Sequence, residues 1–358
     1  MRPFPSTRSN TRQCMQASNK TTPVADGDQG AVPARLSEID TAKGIAIALV
    51  VFGHMVARDL KPQGNDWWPV FHEHLYSFHM AFFFFLSGYV FFLQSPEKWG
   101  SRLRKTAAKL IPAYLLFALI VYVAKLVAAQ VVHVDRPVKQ PLDELVFMVT
   151  YPTESFVQYL WFIVTLLMIY ALMSLLRGWI TRHLMWALVV FFALHLLSVN
   201  DQVTRFLALH QLARYTIFFL LAAVCHRHLS AWTSVVTRFG AWFALAFVAA
   251  LIALPYAWLP TVAGLLSLPS LLAVSIWIDR WPRLREPLQF LGRNTLTIYL
   301  MNSLAMGLVR GITLKVWGWD DWHFLVVAPI LLASGLLLPI VAQRLLFAHW
   351  VRTDRITR

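Results

Sequence analysis

Lys43 and His54 stand eleven residues apart in an apolar stretch that reads Ile39-Asp40-Thr41-Ala42-Lys43-Gly44 and runs on to Val50-Val51-Phe52-Gly53-His54. On an α-helix that spacing is about three turns, so the two side chains share a face and lie roughly 16 Å apart along the axis. An ionisable group inside a stretch this apolar is costly, and a functional role is the first hypothesis for it. Histidine titrates near neutrality and suits a general base. Two plainer readings compete: a snorkelling Lys43 paired with Asp40 at the i,i+3 spacing, and an interfacial His54.

A second polar group opens the next apolar stretch, His72-Glu73-His74-Leu75-Tyr76-Ser77-Phe78-His79. His72 and His79 share a helical face. Their spacing matches no strong zinc signature, and no metal site is expected. Ser87-Gly88 reads as close helix packing, because a serine nucleophile there has no nearby base. The run Arg102-Leu103-Arg104-Lys105-Thr106-Ala107-Ala108-Lys109 is either a phosphate clamp, with Lys105 and Lys109 on one face, or charge that fixes topology.

The elements that must position these groups are membrane helices. Over 358 residues, 58% are hydrophobic and 14% charged, against about 25% charged in soluble domains. Apolar runs of the roughly 20 residues that cross a bilayer recur along the chain. They predict spans near 39–57, 74–94, 107–129, 156–176, 184–199, 206–225, 239–255, 261–278, 288–309 and 324–347. The expected fold is all-α, a polytopic transmembrane bundle of about ten helices. The fifth span is short, and Pro255, Pro260 and Pro269 interrupt the seventh and eighth, so nine or eleven crossings are the alternatives. Residues 1–34 are polar and read as a disordered cytoplasmic tail, 35–350 as one membrane domain, and 351–358 as a short cytoplasmic tail. No short apolar core with a cleavage site precedes Ile39, so the first span is expected to insert uncleaved.

Basic residues concentrate in alternate loops. Lys98, Arg102, Arg104, Lys105 and Lys109 follow the second span, Arg177 and Arg182 the fourth, Arg227 and Arg238 the sixth, and Arg280, Arg283, Arg285 and Arg293 the eighth. The intervening loops hold fewer, such as Arg58 and Lys61, Arg136 and Lys139, and Arg205. The positive-inside rule then places both termini in the cytoplasm. It also accounts for the net charge of +14 without nucleic acid, which would need a continuous basic face. Cys14 and Cys225 make neither a disulfide framework nor a zinc site. No internal repeat matches the phenylalanine run, which weakens a repeat-built transporter.

Taken in order, the segments resemble the acyltransferase 3 family of integral membrane O-acyltransferases, and in particular its fucose 4-O-acetylase-like branch. The resemblance rests on Lys43 to His54, a basic residue and a histidine with ten residues between. It continues in Phe78-His79-Met80, Phe83-Phe84-Phe85-Leu86-Ser87-Gly88-Tyr89 and Lys109-Leu110-Ile111-Pro112-Ala113-Tyr114. Leu160-Trp161-Phe162, Arg214-Tyr215 with Phe218-Phe219, and Leu291-Gly292-Arg293-Asn294 through Tyr299-Leu300 complete it. It covers nearly the whole chain. The family often has arginine where this chain has Lys43, Lys105 and Lys109, and histidine where it has Asn302. Lysine does not form arginine's planar fork to phosphate.

The resemblance implies a bacterial inner-membrane O-acetyltransferase. Acetyl-coenzyme A, or another acyl-coenzyme A, is the expected co-substrate, with no permanently bound cofactor. The acceptor would be a hydroxyl of an exopolysaccharide, a lipopolysaccharide or another glycan. His54, Lys43 and Asp40 would form the catalytic group. Arg102, Arg104, Lys105 and Lys109 would face the donor's phosphates, and His79, Trp161, Asn294 and Tyr299 the substrate. Tyr89, Trp161, Asn294 and Tyr299 are candidate oxyanion donors. Trp67 and Trp68 would stack on a sugar or sit in an interfacial aromatic belt. The rival functions are a transporter or flippase of a glycan or lipid-linked intermediate, in which the same stripe lines a pathway, and a non-catalytic scaffold.

Overall fold

The computed structural model describes residues 34–56, 61–130 and 141–346. The expected tails, Cys14, and the loop residues Arg58, Arg136 and Lys139 lie outside the described residues. Within them every regular element is helical. The helices are α1 (Ala34–Gly53), α2 (Trp67–Phe92), α3 (Trp99–Ala128), α4 (Pro141–Thr150), α5 (Trp161–Leu175), α6 (Arg177–Arg182) and α7 (Leu184–Val199). The chain continues through α8 (Leu209–Arg227), α9 (Leu229–Ala253), α10 (Leu259–Asp279), α11 (Pro282–Arg293), α12 (Thr295–Val316) and α13 (Trp322–Leu346).

Among the described residues eight helices are long and apolar enough to cross a membrane: α2, α9, α10, α12 and α13, and α3, α5 and α8 each taken together with the short 3-10 turn that leads into it. The expected ten are compatible with that set if α1 and α7 also cross. α1 carries Glu38, Asp40 and Lys43 in its first half, and α7 has 16 residues, so neither is as plain a span as the others. The expected span 288–309 is not one helix. It breaks at Asn294, whose side-chain amide donates to the Phe290 carbonyl (2.8 Å), and its first six residues belong to the separate amphipathic helix α11. The prolines do less than expected: Pro255 lies in the turn after α9, Pro260 in the first turn of α10, where its missing N–H costs nothing, and only Pro269 is internal.

α2 is the central post, packed on α8, α10 and α1. Phe82, Phe84, Phe85 and Phe91 are fully buried, so the aromatic run fills the bundle instead of facing lipid. The expectation for Ser87-Gly88 holds, because a Cβ on Gly88 would strike the Phe219 carbonyl oxygen and Ala222 of α8. Gly88 lets the two backbones meet. α1 docks on α11 in the same way, Gly44 against the Leu288 backbone and Gly292 against the Asp40 backbone.

Polar clasps hold the start of α1 and the stretch ahead of α2. Near the start of α1, Ser37 and Thr41 donate to the Asp279 carboxylate (3.1 and 3.0 Å), as does the Gln289 amide (3.0 Å). This joins α1 to the end of α10 and to α11. Beyond its other end, the Gln63 N–H donates to Asp320 (2.8 Å), the Asp321 N–H to the Gln63 carbonyl (2.8 Å), and the Asn65 amide to the Asp321 carbonyl (3.0 Å). Gly64, at φ +72°, makes the turn that permits this. The stretch leading into α2 is thereby tied to the turn before α13.

Candidate active site

Lys43 sits on α1 with its ammonium 3.3 Å from the Asp40 carboxylate, both side chains 28% exposed. The i,i+3 pair is therefore present. Eleven residues on, just past the end of the helix, His54 Nδ1 lies 3.3 Å from the Tyr76 hydroxyl of α2. That hydroxyl also donates to the Gly53 carbonyl (3.3 Å). Tyrosine has one proton to give. With it on Gly53, the hydroxyl oxygen accepts from His54 Nδ1–H, and this tautomer leaves Nε2 with its lone pair.

Tyr76 gathers the other histidines. Its ring lies 4.1 Å from that of His72 and 4.7 Å from that of His79. His79 is buried, and its Nδ1 lies 2.7 Å from the Leu75 carbonyl. A carbonyl only accepts, so Nδ1 holds the proton and Nε2 is again the basic nitrogen. His54 and His79, chosen from separate segments of the sequence, thus flank one tyrosine. No group of three metal-ligating side chains occurs among the described residues.

One turn along α2 from His79, Phe83 meets the Phe162 ring (5.0 Å), and Phe162 meets Tyr299 (5.5 Å). Tyr299 donates its hydroxyl to the Tyr159 carbonyl (2.6 Å). Its proton is thus engaged. The Tyr159 hydroxyl is buried with no partner. Trp161 stacks on Tyr215 (5.4 Å, 27°), and Tyr215 on Phe84 (4.9 Å, 17°). Trp161 and Phe162 thus both pack on Phe84 of α2, and Tyr299 packs on Phe162. Asn294 is elsewhere, at the α11–α12 break, two residues from the Gly292 contact on Asp40. It belongs with the Lys43 end.

The basic run is split. Arg104 and Lys105 are exposed and Lys109 is half-buried, while Arg102 reaches inward to hydrogen-bond Tyr170 of α5. Trp68 is buried against Phe52 and Phe324 and offers no stacking face, whereas Trp67 is 47% exposed. Sequence reasoning passed over Tyr76 and Tyr159. Tyr76 was visible among the histidines, but only the contact across to α1 gives it a role. A node at His195 was also missed: its Nδ1 lies 2.7 Å from the Arg214 carbonyl and its Nε2 2.9 Å from Thr261 Oγ1, tying α7, α8 and α10 together. Both nitrogens being satisfied, that histidine is structural. In the loop before α8, Arg205 donates to Asp201 (3.1 Å) and to Glu154 (3.4 Å), and the first of these holds the Asp201 carboxyl below the usual carboxylate range.

The arrangement places a basic imidazole nitrogen just past the end of α1, a cation midway along that helix, and an unpartnered buried hydroxyl, that of Tyr159, in the turn before α5. A base, a charge anchor and a hydrogen-bond donor are what transfer of an acyl group to a hydroxyl requires. A family model described as an acyltransferase domain matches residues 36–344. The chain matches none of the curated proteins and none of the solved structures with which it was compared.

Proposed function

The chain belongs to this acyltransferase family, and on that premise we propose that it is an O-acetyltransferase of the fucose 4-O-acetylase-like branch, moving an acetyl group from acetyl-coenzyme A to a hydroxyl of a cell-surface or secreted carbohydrate. The observation that carries this reading is His54 beside Tyr76, just past the end of the helix that bears Lys43.

His54 Nε2 takes the acceptor's hydroxyl proton as the oxygen attacks the thioester carbonyl. The C–O bond forms, the C–S bond breaks, and the proton passes to the departing sulfur, giving an ester and the free thiol. Tyr76 holds the imidazole in the required tautomer. Charge that collects on the carbonyl oxygen needs a donor, and Tyr159 fits better than Tyr299, whose proton is already given away. Lys43, with Asp40, stands about 16 Å away along the helix, a distance suited to the extended arm of a donor that enters from the cytoplasmic end. Arg104, Lys105 and Lys109 of α3 are the proposed contacts for its phosphates, whereas Arg102 is engaged inward with Tyr170. His79 and Trp161 are the proposed acceptor contacts. The basic loops support an inner-membrane orientation with both termini cytoplasmic.

The test uses proteoliposomes with an oligosaccharide acceptor inside and acetyl-coenzyme A labelled in the acetyl group outside. Label in the enclosed glycan is the expected result. Glycan crossing the bilayer with no acetyl transfer would overturn the proposal in favour of a transporter.

A further inference from the structure

Where α2 ends and α3 begins, the turn at residues 93–98, the short helix α6 and the last turn of α8 border a half-open cavity of about 200 Å³. Gln94, Ser95, Thr181, His226 and Arg227 supply its polar groups, and apolar side chains such as Phe92, Ile180 and Leu184 make up the rest of its lining. Arg227 reads in the sequence as one of the loop cations, and the proposed chemistry uses none of these residues.

Three features point to an anionic ligand. The first is His226, whose Nδ1 is buried with no hydrogen-bond partner. Leaving such a group unsatisfied is costly, and a ligand oxygen would satisfy it. The second is Arg227. One arm of its guanidinium donates to the Thr181 carbonyl (3.0 Å), which fixes a planar fork at the cavity edge. The third is local charge. Glu97, beside the lining residues, is flanked by Arg177 and Lys98, so with Arg227 three cations stand against one carboxylate. The turn is itself ordered, since Trp99 Nε1 donates to the Gln94 carbonyl (3.3 Å).

Size narrows the ligand. Pockets that enclose a whole drug-sized molecule measure roughly 300–1,000 Å³, so this one holds a head group and not an entire nucleotide thioester. An arginine fork with neighbouring hydroxyl and imidazole groups is phosphate chemistry. We propose that this cavity is a phosphate-binding subsite that seats the phosphate-bearing end of the donor. The choice of donor rests on the function proposed above, whereas the subsite's preference for phosphate does not.

The test measures binding to the full chain in nanodiscs of zwitterionic lipid by calorimetry. The probes are coenzyme A, dephospho-coenzyme A and inorganic pyrophosphate, and a parallel set of nanodiscs contains phosphatidylglycerol. Arg227→Gln and His226→Phe should each weaken coenzyme A binding about tenfold, in line with loss of a charge-assisted contact. Arg205→Gln, at the opposite end of α8, should leave it unchanged. Coenzyme A binding equally to wild type and both variants would overturn the subsite and leave the donor reading intact. If pyrophosphate or phosphatidylglycerol binds in an Arg227-dependent way while coenzyme A does not bind, the subsite stands and the donor reading falls. No binding of any probe to the wild type overturns both. Should His226→Phe fail to fold, Arg227→Gln decides alone, because that side chain is exposed.

Discussion

His54 Nδ1 lies 3.3 Å from the Tyr76 hydroxyl, and this contact joins the end of α1 to the first turns of α2. It sets which imidazole nitrogen is basic. Tyr76→Phe removes it while keeping the ring against His72 and His79. One hydrogen bond is worth about 0.5–1.5 kcal/mol, so the substitution should lower kcat about three- to tenfold and leave the KM for the donor unchanged. Steady-state acetyl transfer checks this, and an unchanged kcat would remove Tyr76 from the mechanism.

Tyr159 and Tyr299 are distinguished by where their protons go. Tyr299 gives its proton to the Tyr159 carbonyl, and the Tyr159 hydroxyl has no partner. If Tyr159 serves the oxyanion, Tyr159→Phe should reduce kcat by about 10²-fold, the lower end of what losing such a donor costs. Tyr299→Phe should cost about 1 kcal/mol of stability and far less rate. The reverse ranking in single-turnover experiments would contradict the assignment.

Gly292 packs against the Asp40 backbone, whereas Gly307 of α12 has open space where a Cβ would stand. Gly292→Ala should force α11 away from α1 and cost about 1–3 kcal/mol, as overpacking does. Gly307→Ala should be neutral or slightly stabilising. Thermal unfolding in detergent separates the two, and equal melting temperatures would show that α1 and α11 do not need that approach.

Asp279 receives donors from Ser37, Thr41 and Gln289. Asp279→Ala strands them at a partly buried junction and should destabilise by about 1–3 kcal/mol, while Asp279→Asn keeps an acceptor and should cost less. Hydrogen exchange at the start of α1 is the direct readout. Protection unaffected by Asp279→Ala would mean that the clasp does not hold the helix.

The helical architecture was legible because apolar length is a local property: the windows drawn on composition fall on helices. The boundary at Asn294 was not, because Leu288, Phe290 and Leu291, on an amphipathic helix, run straight into the apolar residues of α12 across a break that one residue makes. Of the site, Lys43, Asp40, His54 and His79 could be picked out as polar side chains where lipid or core should be. Tyr76 and Tyr159 could not, since a tyrosine in an apolar helix carries no signal of its own, and their roles come from contacts across helices. The same holds for Asp279, which reads as one more charge at a helix end until Ser37, Thr41 and Gln289 converge on it. Trp68 shows the opposite error, an aromatic near a helix end that is core and not belt.

The central claim is that His54 is the base. Purified protein in nanodiscs, supplied with labelled acetyl-coenzyme A and a glycan acceptor, gives the most direct measurement when wild type is compared with His54→Ala. The account predicts a fall in kcat of about 10²–10⁴-fold, with the melting temperature and coenzyme A affinity retained. Acetyl transfer that continues at the wild-type rate in His54→Ala would contradict it.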